Sequence, residues 1–339
     1  MNSNYKKILV IQTAFLGDVV LTLPMVQVLK RENPDCEIDF LCIPAMEVLF
    51  KNNPLLNKVI VYDKRGSDSF SKIKSEIKGK YDVVISPHRS TRSALLAYFS
   101  KAKKRITFDK SSLSFLYTDK VKYVQGIHEI QRNLSLLNPL GINEDGIIKP
   151  ELFLSDIEKN SIDKFLNDNG VNNEKLIGLA PGTVWFTKQY PKEKFVKVLN
   201  LLKDSDASVI LIGGKDDIEH GKYLKDNSSN KNIVDAIGML NVLESAELIK
   251  RCEVLITNDS APLHLANAVE TRVVSIFGAT IPQFGFFPYG VNDTILETEG
   301  LKCRPCSIHG GNKCPIGTFI CMNNIQEEKI VQLAGKSLS

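Results

Sequence analysis

The chain has 339 residues, 43% hydrophobic and 24% charged, which is the composition of a globular protein too long for one ordinary core. No apolar run is long enough to span a membrane, and no RNA-binding aromatic–basic signature or helix-turn-helix pattern occurs, so a membrane-embedded protein and a nucleic-acid partner are both set aside. The net charge of +4 is unevenly divided: residues 1–150 hold 23 Lys and Arg against 15 Asp and Glu, and the rest 20 against 24, so the first half is expected to meet an anion, either a phosphorylated substrate or a membrane surface.

A strand over 7–12 begins almost at once and leaves no room for a signal peptide, so a cytoplasmic protein is expected. Gly17-Asp18 joins that strand to a helix over 18–31. Gly17 permits an unusual backbone angle or close ligand approach. Asp18 either caps the helix or offers a carboxylate that takes a proton from a hydroxyl nucleophile. Strands over 37–43, 58–61, 82–86 and 105–108 then alternate with helices over 44–50, 69–78, 90–99 and 127–138. The polar loop Ser86-Pro87-His88-Arg89 leaves one of those strand ends, and the Lys101–Arg105 run reads as a solvated basic surface. A stretch rich in Gly, Asn and Asp over 141–172 is expected to join two halves.

The alternation resumes with strands over 176–180, 207–212, 232–234, 253–256 and 272–276, and helices over 192–203, 216–225, 242–250 and 260–269. This is an α/β pattern of two doubly wound parallel sheets. Ligands of such sheets bind at the carboxyl ends of strands, so the polar loops of both halves are expected to line one cleft. Neither G-x-G-x-x-G nor a Walker sequence is present, which removes the main support for dinucleotide and P-loop readings. Thr183, Thr187 and Lys188, after Pro181-Gly182, can donate hydrogen bonds and neutralise a diphosphate. Gly213-Gly214-Lys215-Asp216 places a carboxylate where it caps a helix or accepts from ribose hydroxyls. Asp204-Ser205-Asp206 has the D-x-D form of some metal sites but precedes a strand, away from the ligand end, and is expected to be a turn. At Asn258-Asp259-Ser260 a strand gives way to a helix, with His264 one turn on the same face as Ser260. The unpaired amides of that helix start suit a phosphate, and the alternative is a simple N-cap by Asp259 or Ser260.

Cys303, Cys306, Cys314 and Cys321 fall within 19 positions. In a cytosolic chain they are either a structural zinc or iron knuckle, closed to catalysis, or reduced and unliganded thiols. Cys36, Cys42 and Cys252 read as core residues.

Taken as a set, these loops resemble the heptosyltransferase family of bacterial glycosyltransferases, glycosyltransferase family 9. The resemblance covers nearly the whole chain. It rests on Ile8–Ile11 with Gly17-Asp18 and Pro24; Pro181-Gly182-Thr183 with Lys188 and Pro191; Gly213-Gly214; Thr257–Ser260 with His264 and Phe277-Gly278; and Gly126-Ile127-His128 with Arg132 and Leu140-Gly141. It implies a GT-B architecture of two Rossmann-like domains: 1–155 for the acceptor, and 156–324, with the cysteine-rich loop 301–321, for the donor. A helix over 325–339 would cross back to the first domain. It implies an inverting transfer of heptose from ADP-L-glycero-D-manno-heptose to the inner core of lipopolysaccharide, most like the family's second-heptose enzymes, by a protein peripheral to the inner leaflet of the inner membrane, with no cofactor required for catalysis. Asp18 would be the general base. Thr183, Thr187, Lys188, Asp259, Ser260 and His264 would seat the diphosphate, Asp216 the ribose and Leu240 the adenine border. Gly17, Arg89, Arg92, His128 and Arg132 would meet the acceptor. Gln189-Tyr190 stand where many members have Arg-Trp. The cysteine loop occurs in part of the family only, including members that glycosylate proteins and bind iron there, so transfer to protein hydroxyls is one alternative and a sugar-nucleotide epimerase of the same architecture another.

Overall fold

A computed structural model describes residues 5–171 and 175–336; position 172, the last of the expected connecting stretch, lies outside them. The chain divides into two compact units, Met1–Phe153 and Leu154–Ser339. In the first, strands β1 (Lys7–Ile11), β2 (Glu37–Cys42), β3 (Lys58–Val61), β4 (Val83–Ser86), β5 (Lys104–Phe108) and β6 (Asp119–Val121) form one parallel sheet in the order β3-β2-β1-β4-β5-β6. Its helices are α1 (Leu16–Val20), α2 (Leu23–Glu32), α3 (Ser69–Ile77), α4 (Thr91–Phe99) and α5 (Glu129–Ser135).

The second unit repeats the plan. Strands β7 (Lys175–Ala180), β8 (Ala207–Leu211), β9 (Ile233–Asp235), β10 (Val254–Asn258), β11 (Arg272–Phe277) and β12 (Thr294–Glu297) lie parallel in the order β12-β11-β10-β7-β8-β9. Its helices are α6 (Asp156–Asp168), α7 (Lys192–Leu201), α8 (Ile218–Asn227), α9 (Val242–Lys250), α10 (Ala261–Ala268), α11 (Ile320–Asn323) and α12 (Glu327–Gly335). Counted from its own first strand, this is the same Rossmann order as in the first unit. The expected α/β class of doubly wound sheets is what forms.

Central strands β4, β8 and β10 are buried along their whole length, the mark of parallel sheets covered on both faces. Each sheet has its own core. Leu9, Ile11, Val84, Ile73 and Leu96 pack in the first, and Ile177, Val209, Ile256, Phe195 and Met322 in the second. The last helix joins the second core: Lys194 pairs with Glu327 at 3.0 Å, and Arg272 Nη2 donates to Leu333 O at 2.8 Å. No described helix is long and apolar enough to cross a membrane.

The structure departs from the expected elements in four places. The single helix over 18–31 is two, because Pro24 has no N–H to give and its ring clashes with a carbonyl of the preceding turn. Residues 44–50 form a 3-10 helix, which also begins at a proline. Edge strands β6 and β12 are only three and four residues long and half-exposed, too short to leave a period in the sequence. The presumed connecting stretch contains the 13-residue α6.

Candidate functional site

In each sheet the strand order reverses between two neighbours, β1 and β4 in one, β7 and β10 in the other. Loops leaving those strands diverge to opposite sides and open a crevice at the carboxyl ends, where doubly wound sheets bind ligands.

In the first unit the crevice is bordered by Gln12-Thr13 after β1 and by Pro87-His88-Arg89 after β4. Gln12 is buried; its Nε2 donates to Thr22 Oγ1 at 3.0 Å, and that hydroxyl donates to Asp18 O at 2.8 Å. These bonds fix the first turn of α1, where half-buried Asp18 sits with its charge favourably near a helix start. Gly17 is an ordinary helical residue whose carbonyl accepts from Leu21, not the unusual backbone position anticipated.

Cationic groups gather nearby. Arg89 is half-buried and its guanidinium lies 4.2 Å from the Tyr123 ring centre. Arg92 is exposed, and its Nη1 approaches Lys64 O at 3.5 Å; Lys64 Nζ in turn donates to Thr13 O. Burial and then Arg92 lower the Lys64 pKa. The His88 pKa falls to about 4, through burial first and then Lys64 and Arg89. Lys64 was not singled out from the sequence; it lies in a loop after β3 with no motif around it. His88 is thus neutral at pH 7, with Nδ1 2.8 Å from Thr13 Oγ1. Because its folded pKa lies below the ordinary 6.5, the stability it contributes is present above that value and is lost as pH falls toward 4. NMR titration of the His88 ring should give a midpoint near 4, and one at 6.5 or above would remove this cationic surrounding.

His128 and Arg132, expected to meet the acceptor, are both buried. His128 is fully buried at the N-cap of α5, where its Nδ1 accepts from Ile130 N at 3.2 Å. Arg132 is 1% exposed; it donates to Val124 O at 2.9 Å and Ile127 O at 3.0 Å, pairs with Glu129, and stacks on Tyr123. Both side chains are turned into the unit's own interior and organise the segment before α5. Glu129 is pushed up to about 7 by burial, opposed by Arg132 and reinforced by the charge of Asp18.

In the second unit Asn258 ties the crevice together. Its Nδ2 donates to Pro181 O at 2.8 Å and its Oδ1 accepts from Tyr190 N at 3.0 Å, so the ends of the Pro181–Tyr190 loop are held to β10. Inside that loop Lys188 Nζ pairs with Asp259 Oδ2 at 2.8 Å, and the Thr280 hydroxyl donates to the same oxygen at 2.6 Å. Asp259 therefore spends its carboxylate on Lys188 and Thr280. Ser260 occupies the N-cap of α10 but makes no side-chain capping bond. Simple capping by either residue thus gives way to an uncapped helix start beside an anchored lysine. His264 is buried one turn on, its ring edge toward Phe286.

Thr183 bonds within its own turn, donating to Trp185 O at 2.6 Å. Thr187, 2% exposed and expected to contact the donor, instead accepts from Gly311 N at 2.8 Å, which ties it to the cysteine-rich loop. Asp216 is exposed after β8. Its neighbour Asp217 does the structural work: Oδ2 accepts from Gly214 N at 3.0 Å, and a Cβ on Gly182 would fall 2.0 Å from its carboxylate. Leu240 is half-buried beyond Gly238, whose φ of +75° suits glycine. Asp204–Asp206 is a turn before β8, at the far end of the sheet.

Among the described residues, no three His, Cys, Asp or Glu side chains are gathered closely enough to hold a metal ion. Cys303, Cys306, Cys314 and Cys321 are free thiols, not disulfides. Two are engaged with backbone. Cys306 Sγ donates to Cys303 O at 3.3 Å, and Cys314 Sγ accepts from Phe319 N at 3.4 Å, the largest cause of a lowered Cys314 pKa.

The family model for glycosyltransferase family 9 (heptosyltransferase) matches residues 70–312. Lipopolysaccharide heptosyltransferase 3 of Escherichia coli K12 is 29% identical over 282 residues, covering 78% of this chain and 80% of its own length. A glycosyltransferase family 9 structure from Veillonella parvula superposes with a TM-score of 0.85 at 24% identity, covering 100% of this chain and 98% of that one. The Escherichia coli ADP-heptose lipopolysaccharide heptosyltransferase II structure does so with a TM-score of 0.80 at 20% identity, covering 98% of each.

Proposed function

Because the chain belongs to glycosyltransferase family 9, the heptosyltransferases, we propose that it transfers heptose from ADP-L-glycero-D-manno-heptose to the inner core of lipopolysaccharide, in the manner of heptosyltransferase II. The observation that carries the donor side is the Lys188–Asp259 pair beside an α10 start that Ser260 leaves uncapped. A lysine has three donors, so Lys188 held by one carboxylate can still meet a diphosphate. Negative charge on the leaving ADP would develop against that ammonium and the helix amides, which is preorganised electrostatic stabilisation. Asp216 is read as the ribose acceptor and Leu240 as a border of the adenine, with His264 packed behind the phosphates.

The acceptor is read on the first unit. Asp18 removes the proton from the attacking hydroxyl as the new glycosidic bond forms and the bond to ADP breaks. Arg89, Arg92 and Lys64 supply positive charge for the acceptor's anionic groups, and the basic first half suits an anionic inner-leaflet surface. His128 and Arg132 support this face from beneath and do not touch the sugar.

A thermal-shift screen of the protein against ADP-heptose and UDP-, GDP- and CMP-sugars tests the donor. ADP-heptose should give the largest rise in Tm, and a larger rise with another nucleotide sugar overturns the assignment. ADP release measured with lipid-linked core carrying one heptose, and with a protein acceptor, tests the other substrate. Release with the protein alone would move the chain to the protein-modifying branch.

A further inference from the structure

Two arms reach from the cysteine-rich loop to the Lys188–Asp259 pair. The first is Arg304, which lies in sequence between Cys303 and Cys306 and whose side chain is 6% exposed. Its Nε donates to Gly278 O at 2.5 Å and Thr280 O at 3.1 Å; Nη2 donates to Thr280 O at 2.7 Å and Glu297 Oε2 at 2.6 Å; Nη1 reaches Thr298 O at 3.3 Å. Cys306 N adds a bond to Ala279 O at 2.9 Å. The segment leaving β11 is therefore pinned at Gly278, Ala279 and Thr280 in turn. Thr280 is the residue whose hydroxyl holds Asp259 Oδ2, the oxygen that Lys188 meets.

The second arm is Gly310-Gly311. Gly311 bonds Thr187 in both directions, accepting from its N–H at 3.0 Å and donating to its hydroxyl at 2.8 Å. Gly310 has φ +91°, and a Cβ there would stand 3.0 Å from both Lys188 Cγ and Trp185 Cβ. The loop backbone thus lies against the aliphatic stem of Lys188 while Asp259 holds its ammonium. A lysine is a flexible point charge, and confining it before the ligand arrives lowers the ordering cost of binding.

We infer that Arg304 and Gly310 are positioning residues for the diphosphate seat, holding Asp259 and Lys188 from two sides without touching the nucleotide. The inference rests on the reading that Lys188 meets the diphosphate of ADP. It gives the cysteine-rich loop a role in donor affinity through the geometry of its backbone and of one arginine.

The test measures ADP affinity by calorimetry and adenosine affinity by ligand-observed NMR, on the full chain and on variants whose fold is checked by circular dichroism. Arg304→Gln and Gly310→Ala should each weaken ADP about tenfold, the worth of one charge-assisted hydrogen bond, and leave adenosine unchanged. Equal loss of ADP and adenosine would mean general loosening and would overturn the inference. So would wild-type ADP affinity in both variants while Lys188→Ala loses it, an outcome that leaves the diphosphate reading standing. Wild-type ADP affinity in Lys188→Ala would instead sink that reading. Should Arg304→Gln fail to fold, Gly310→Ala, at a half-exposed loop position, carries the test by itself.

Discussion

Asp18→Asn is expected to lower kcat by roughly 10²–10⁴-fold, the usual worth of a general base, while ADP affinity stays unchanged because the donor loops lie in the other unit. The substitution is nearly isosteric, and the Thr22 bond goes to the Asp18 backbone carbonyl, so the first turn of α1 should persist. The helix-start part of the lost charge is worth about 0.3–1 kcal/mol. The asparagine can still orient the acceptor hydroxyl but cannot take its proton. Single-turnover transfer with ADP-heptose and a core acceptor is the measurement. Full activity in Asp18→Asn would remove Asp18 from the chemistry and leave its charge near the helix start as its role.

Arg132→Leu is expected to destabilise the protein by about 3–5 kcal/mol, the range for breaking one side of a buried ion pair. Glu129 would lose its partner, Val124 O and Ile127 O would lose their donor, and the Tyr123 ring would lose one of two stacked guanidinium groups. Glu129→Gln keeps an acceptor for Arg132 but leaves that buried guanidinium without its counter-charge, so it should destabilise the protein as well. Glu129 also sets a pH dependence. Its folded pKa of about 7 lies above the ordinary carboxylate value of 4.5, so its contribution is complete below about pH 4.5 and is lost as pH rises through 7. Urea unfolding at pH 5 and pH 8 should show this slope in the parent protein and a shallower one in Glu129→Gln. Identical slopes would mean that Glu129 carries no buried charge.

The sequence made the fold legible where burial is complete. Strands such as Val83–Ser86 and Val254–Asn258 are apolar runs ended by polar loops, and such runs are hard to mistake. Edge strand Asp119–Val121 carries two charged residues in three and needs its neighbour to exist at all. The helix Asp156–Asp168 did leave a signal, Ser155 followed three positions later by Glu158, and the structure forms that capping box. It was hidden by the surrounding Asn and Asp and by exposed Ile157. The site divides the same way. Asp18, Lys188 and Asp259 stand in the segments that follow strand carboxyl ends, where topology alone makes polar residues conspicuous. Asp216 and Asp217 are adjacent in sequence, and only the backbone after β8 decides that the second one turns inward to Gly214. Lys64 joins Arg92 and His88 through a loop path that no local pattern encodes. Arg132 shows the opposite hazard: a cation at a promising position that is buried, with Glu129 and two backbone carbonyls among its partners.

The Gly310 contact also gives the protein an optical property. The chain has a single tryptophan, Trp185, and its Cβ is one of the atoms that crowd Gly310 beside Lys188. The Trp185 carbonyl accepts from both Thr183 Oγ1 and Lys188 N, so the indole is anchored to the backbone turn that carries the lysine. Excitation at wavelengths that tyrosine does not absorb therefore lights one loop out of the whole molecule. Emission from that indole serves as a native, label-free gauge of whether the lysine's loop is open to water or covered.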